Sequence, residues 1–291
     1  MQTYLNNYSK NTPMPDAETE WQLDSMLIKM LNVDAVTAFA AQTITPNNQV
    51  IIVTAPEKEG LATPTAEELL AIRDKVTAGE VAAYEDNVVK EPLIPEGTVL
   101  KGSPVKKKVE DAELGMTEWT LANGAKVVVK HTDFKADEVR MSAVAKGGLS
   151  VLSDGEFYMG EMMPAVNSMS GVGKFPATEL KKQLSGKTAS VQPSVENYAS
   201  AMKGVCSPKD IETMLQLLYL NFTQPRFDRN DYDNLIKMLR SQLENARTNP
   251  DYLMQEKVID VTYGHNPRRQ MISNEIIDKF DFERLPAVYA K

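Results

Sequence analysis

Residues Trp119 to Val129 place two β-prone runs on either side of Asn123-Gly124, the pair favoured where both residues of a tight turn need positive φ. This commits the stretch to an antiparallel hairpin, which needs further strands or helices to cover its apolar face. A third strand is expected over Val139 to Ala145, ending at Gly147-Gly148. Helical spacing follows over Glu156 to Met169 and again in a segment opened by Pro176. TASVQPSVENYASAMKGV alternates as two more paired strands. Ser207 and Pro208 then start a helix with an apolar face of Met214, Leu215, Leu217, Leu218 and Leu220, and Asp228 starts a longer one through Leu235, Met238, Leu239 and Leu243. DFERLPAVYAK reads as a short last helix. Hairpin strands followed by helix pairs give an α+β class, a mixed or antiparallel sheet with helices packed on one face.

The N-terminal third is more helical. Trp21, Leu23, Met26, Leu27, Met30 and Leu31 recur at three- and four-residue spacings behind Asp16, and a second short helix is expected from Asp34 to Thr43. Val50-Ile51-Ile52-Val53, after a turn at Asn47-Asn48 and before Pro56, reads as a strand inside a sheet. Thr65 with Glu68 three residues on is a capping box for a helix carrying Leu69, Leu70 and Ile72. Residues 92–115 hold Pro92, Pro95, Gly97, Gly102 and Pro104 and read as a linker. Its triple lysine, Lys106 to Lys108, is flanked by Glu110, Asp111 and Glu113, which favours a solvated segment over a nucleic-acid or membrane patch.

Composition excludes several classes. With 32 Lys plus Arg against 40 Asp plus Glu, the net charge of -8 disfavours nucleic acid or an anionic membrane surface as the main partner. Nowhere do about 18 apolar residues run together, so no membrane-spanning segment is expected, and the first residues show neither a basic nor an apolar leader region. Cys206, the single cysteine, cannot close an intramolecular disulfide, and its neighbourhood favours a buried thiol over a nucleophile. The two histidines, His131 and His265, lie far apart, and neither HExxH nor HxxEH occurs. A third reading, in which one of them joins acidic residues in a metal site, stays open. GVGKF at Gly171 to Phe175 lacks the glycine spacing and the Ser or Thr of a phosphate loop and reads as a plain loop before Pro176. The methionines of FYMGEMMPAVNSM fit a core at helical spacing better than a binding groove.

The order TEWTLANGAKVVVKHTDFKADEVRMSAVAKGGLS, GEFYMGEMMPAVNSM, GKFPATELKKQL resembles a homology unit of the pitrilysin/insulinase family of zinc metallopeptidases. The block from Tyr4 to Gly60 is similar to the end of a preceding unit, with its helices, apolar strand and Ala-Pro. The resemblance implies three segments: 1–91 as the C-terminal part of one unit, 92–115 as the linker between halves, and 116–291 as most of a further, non-catalytic unit. The family's catalytic helix carries HxxEH, in which two histidines bind zinc and the glutamate is general base. Here Glu156 to Met163 contains no histidine. Glu161 is a carboxylate in the corresponding region, and Gln242 to Glu244 stand where a downstream zinc ligand would fall.

The resemblance therefore implies no catalytic, cofactor-binding or metal-ligating residue in this chain, with zinc held upstream of Met1 and further units downstream of Lys291. It implies a parent that hydrolyses peptide bonds of unfolded peptides, in which this segment, inactive alone, forms part of the closing half of a peptide-enclosing chamber. Its partners would be the remaining units of its own chain and unfolded peptide, met at bare sheet edges by strand addition; those edges also make a dimer possible. An exported bacterial parent, in periplasm or envelope, is expected. The alternative is a non-enzymatic scaffold or assembly subunit with the same fold.

Overall fold

The structure is a computed structural model that describes residues 1–43, 45, 48–55, 60, 62–80, 82 and 91–291. The chain divides into two units, Met1–Tyr84 and Glu85–Lys291.

The first unit holds α1 (Gln2–Lys10), α2 (Ala17–Met30), α3 (Val33–Thr43) and α4 (Ala66–Ala78). Asp16 accepts the Glu18 and Thr19 N–H groups at the start of α2, satisfying two of the donors that a helix leaves open. At α4 the capping box is complete: Thr65 accepts the Glu68 N–H at 3.2 Å while Glu68 accepts the Thr65 N–H at 2.8 Å. None of these four helices buries a residue. The strand expected at Val50 to Val53 requires a correction. The segment is solvent-exposed and unpaired, because the described residues of this unit include no strand to hydrogen-bond with it. Asn47 and Pro56, its expected boundaries, lie outside the described residues.

The second unit begins with β1 (Val105–Asp111), β2 (Met116–Leu121) and β3 (Lys126–Lys130), an antiparallel sheet in that order. Part of the expected linker is thus structured: Leu93 is buried, and the triple lysine lies in β1, an edge strand paired with β2. Lysines suit an edge, where they discourage pairing with another chain. The β2–β3 turn forms at Asn123-Gly124, but only Gly124 has positive φ, 87°. Four residues connect the strands, and the Asn123 side chain accepts the Ala125 N–H, so the loop closes without the two-residue geometry.

β4 (Val139–Lys146), α5 (Phe157–Ser170), α6 (Ala177–Gln183), β5 (Ala189–Val195), β6 (Ala199–Cys206), α7 (Ile211–Thr223), α8 (Arg229–Ala246), α9 (Pro250–Thr262), α10 (Asn274–Ile277) and α11 (Leu285–Tyr289) complete the chain. β4, β6 and β5 form a second antiparallel sheet in that order, so the described strands make two sheets where one was expected. On β6 the alternate residues Met202, Gly204 and Cys206 are buried, and α5 and α7 pack on this sheet at β5 and β6. One core gathers Leu149, Phe157, Met159, Val166, Leu235 and Leu285; another joins Leu93, Val172, Phe175, Leu217 and Leu220. Each such side chain contributes about 1.5–3 kcal/mol by leaving water. The loop of GVGKF turns within this second core: a Cβ on Gly171, at φ 83°, would lie 2.2 Å from the Phe175 carbonyl oxygen. No helix among the described residues is long and apolar enough to cross a membrane.

Candidate functional site

The first turns of α5 occupy the place where the resemblance puts metal chemistry, and their side chains are engaged in packing. Glu156, at the N-cap position, is buried and accepts the Ser153 N–H and hydroxyl on Oε2. Lys291 Nζ bridges both its oxygens at 2.9 and 2.8 Å, and Arg284 Nη2 reaches Oε1 at 2.9 Å. Phe157 is a core residue with the Arg268 guanidinium 5.5 Å from its ring centre. Arg268 also pairs with Asp154 and donates to the Leu152 carbonyl, both at 2.6 Å. The Tyr158 hydroxyl donates to the Gln270 carbonyl and accepts the Gln270 N–H, each at 2.9 Å. Met159 and Met163 are buried in the core, while Glu161 is exposed.

The Lys291 ammonium, followed by the Ser153 N–H and hydroxyl, outweighs the effect of burial and lowers the Glu156 carboxyl from the ordinary 4.5 to about 2. A carboxyl held that low is a poor proton shuttle near neutrality. Its folded-state value lies below the unfolded one, so the cluster's contribution to stability is present in full above about pH 4.5 and is lost as pH falls toward 2. Acid titration of unfolding midpoints is expected to show this loss in the native chain and not in Glu156→Gln. An identical acid slope in both proteins would contradict the assignment.

The structure does not bring the remaining sequence candidates into one site. Gln242 and Glu244 lie exposed on α8. His131 is exposed just after β3, with no ion pair or hydrogen bond among the described residues. His265 ends the turn after α9 at φ 59°, its Nδ1 2.8 Å from Asp260 Oδ1. Among the described residues no three His, Cys, Asp or Glu side chains converge to hold a metal. The zinc implied by the family is therefore not matched by the donors of α5 and α8. Cys206 is 1% exposed, and burial, with the nearby Asp210 charge, pushes its thiol up, away from nucleophilic form. The lysines of β1 are exposed, with Lys108 paired to Glu110.

Concave surface does exist between the β4–β6–β5 sheet and the helices. A cleft of about 490 Å³ is lined mostly by small or apolar groups, among them Ala143, Ala145, Ser200, Met163 and Pro164, with Lys146, Tyr289 and Lys291 on its wall. Its lining holds no carboxylate and no histidine. Sequence reasoning passed over two residues beside a second cavity, Asn167 and Asn221, because isolated asparagines within helices carry no spacing signal.

No family model matches the chain. A zinc protease PQQL-like protein of Arabidopsis thaliana is 23% identical over 270 residues, which is 90% of this chain and 25% of that protein. A probable zinc protease PqqL of Haemophilus influenzae is 22% identical over 205 residues, 65% of this chain and 22% of that protein. The chain thus spans about a quarter of the length of these curated relatives. Among solved structures, a mutant of the ferredoxin protease FusC in complex with Arabidopsis ferredoxin matches with TM-score 0.61 at 13% identity, covering 99% of this chain and 32% of that one. The periplasmic protease PqqL from Escherichia coli matches with TM-score 0.59 at 18% identity, with the same coverage.

Proposed function

We infer that this chain, a partial segment of the pitrilysin/insulinase type of zinc protease by its relatives and its fold, is a non-catalytic wall of a chamber that encloses unfolded peptide. One observation carries the reading. One zinc-protease relative aligns with 90% of this chain over only 25% of its own length, while α5 of this chain holds no histidine and spends its first turns on packing. In this reading 1–91 ends one unit, 92–115 joins two halves, and 116–291 is most of a degenerate unit. Zinc and hydrolysis belong to the complete polypeptide, and this segment alone is inactive. Its open strand edges take peptide backbone by strand addition. The periplasmic relative of Escherichia coli supports an exported parent.

The test measures zinc content and cleavage of an unstructured fluorogenic peptide for two samples, the 291-residue chain and the complete polypeptide that contains it. The complete polypeptide is expected to bind zinc and cleave in a chelator-sensitive way, and the chain alone to do neither. Stoichiometric zinc with chelator-sensitive cleavage by the chain alone would overturn the reading, and so would a complete polypeptide with no activity. The second outcome would instead favour a scaffold subunit, a role for which packed, chemically silent α5 residues are equally suited.

A further inference from the structure

Among the described residues the two sheets have four outer edges, and three of them are blunted. β1 carries Lys106, Lys107 and Lys108, with a register shift between Val105 and Lys107. β3 is 5 residues long, with Lys126 and Lys130 at its ends. β5 holds Pro193, which has no N–H to donate. Lysines, bulges, short length and proline are the devices by which sheets avoid pairing with other chains. The edge of β4 has neither bulge nor proline, and its register against β6 runs unbroken from Val139 to Lys146.

The hydrogen-bond phase shows which groups of β4 lie open. The Gly147 N–H donates to the Tyr198 carbonyl at 2.9 Å, one step beyond the last registered pair, Lys146 with Ala199. By alternation Val139, Met141, Ala143 and Ala145 exchange bonds with β6, while the N–H and C=O groups of Arg140, Ser142, Val144 and Lys146 point outward. No described strand takes them up. Side chains alternate as well. Met141 lies on the helix face, next to Met214 of α7 beside Gly204, and Arg140, Ser142 and Val144 are exposed on the other face, Val144 at 67%.

We propose that this edge seats a second copy of the chain, β4 pairing antiparallel with β4 about a twofold axis. The longest overlaps that bring the outward backbone groups face to face centre on Ala143 or on Ser142. Centred on Ala143, Arg140 lies directly opposite the partner's Lys146, a like-charge pair that symmetry repeats at the other end. Centred on Ser142, Arg140 meets the partner's Val144 instead. Glu138, just before β4 and already bonded to Arg140 at 2.5 Å, then lies opposite the partner's Lys146. On the helix face this register sets Met141 against the partner's Ala143 and Val139 against the partner's Ala145, a larger side chain against an alanine each time. The three-stranded sheets of the two copies become one. Unpaired backbone supplies the attraction, and charge selects the register. The inference does not depend on the chamber-wall reading, and its failure would leave that reading where the zinc and cleavage measurements put it.

Sedimentation velocity of the 291-residue chain is expected to show a monomer–dimer equilibrium that moves toward dimer with concentration, as a small interface gives. Val144→Pro removes an outward N–H from each copy and spares every bond to β6. It should keep the circular dichroism spectrum and weaken association about tenfold or more. Lys146→Glu sets acid against acid at both ends and should weaken it about threefold or more. Disulfide trapping reads the register, with oxidised glutathione accepting the electrons of the two thiols. Residues of a hydrogen-bonded antiparallel pair have Cα atoms about 5.5 Å apart, within the span of a disulfide. Ser142→Cys faces its own copy at that distance, whereas Val144→Cys is displaced from its copy by about 13 Å along the strand. Ser142→Cys is therefore expected to give covalent dimer about tenfold or more faster. Cys206, 1% exposed, does not compete. A chain that stays monomeric at every concentration would overturn the proposal, and so would a dimer indifferent to Val144→Pro. Trapping at 144 as fast as at 142 would overturn the register and the charge argument behind it.

Discussion

Gly148→Ala is expected to destabilise the second unit by about 3–5 kcal/mol, placing it among the most damaging single substitutions in the chain. Gly148 sits at φ 58°, and a Cβ there would lie 2.1 Å from the Glu196 carbonyl oxygen and 2.5 Å from the Ala199 nitrogen. Neither obstacle is the yielding end of a side chain. Glu196 lies in the turn between β5 and β6 and Ala199 opens β6; this turn is clamped to the end of β4 by bonds from the Gly147, Leu149 and Ser150 N–H groups to Tyr198, Glu196 and Asn197 carbonyls at 2.8–2.9 Å. A methyl group must break that clamp or distort the hairpin that carries the β5 edge. Gly155→Ala serves as the control, since a Cβ there meets nothing within 4 Å, and its effect should stay within about 0.5 kcal/mol. Urea unfolding of both variants decides the point. Equal midpoints would show that the hairpin does not approach Gly148 as closely as described.

The second large effect is expected at Leu285. This residue is fully buried in the cluster that contains Met159, Val166, Tyr232 and Leu235, and it opens α11, the helix that leads to Lys291. Leu285→Ala should cost about 3–5 kcal/mol through lost transfer energy plus the cavity left behind, whereas Leu285→Met should cost under about 1.5 kcal/mol. The consequence reaches α5. Lys291 and Arg284 hold Glu156 from the two ends of this short helix, so loosening α11 should also remove the acid-dependent step of stability assigned to Glu156. Hydrogen exchange over α11, measured alongside urea unfolding, gives the readout. Unchanged protection of α11 amides with a loss below about 1 kcal/mol would mean that the helix is not anchored through Leu285.

Local signals in the sequence were enough for much of the fold. The β2–β3 hairpin, β4 ending at its glycine pair, the β5–β6 pair and the caps at Asp16, Thr65 and Asp228 are each encoded within a few residues, by turn preference, alternation or a side chain that reaches its own helix. The lack of a metal-binding helix motif was equally legible, since HxxEH is a matter of spacing on one helix. Helix α9 has its signal too, Asn249 before Pro250, but buries no residue, so periodicity was silent there.

Tertiary structure decided what depends on a distant partner. An apolar β-branched run such as Val50 to Val53 states a preference for a strand, but pairing needs a neighbour, and the first unit provides none among its described residues. Pro-rich spacing marked 92–115 as a connection, yet Leu93 is buried against Phe175 and Leu217 and the lysine run pairs with β2, because core space and open backbone were available there. Glu156 finds Arg284 and Lys291 only across more than 120 residues. The buried atoms Asn167 Nδ2 and Asn221 Oδ1, unpaired among the described residues, follow the same rule. Sequence sets which groups are polar and how a segment prefers to turn; packing alone determines which of those groups are left without a partner.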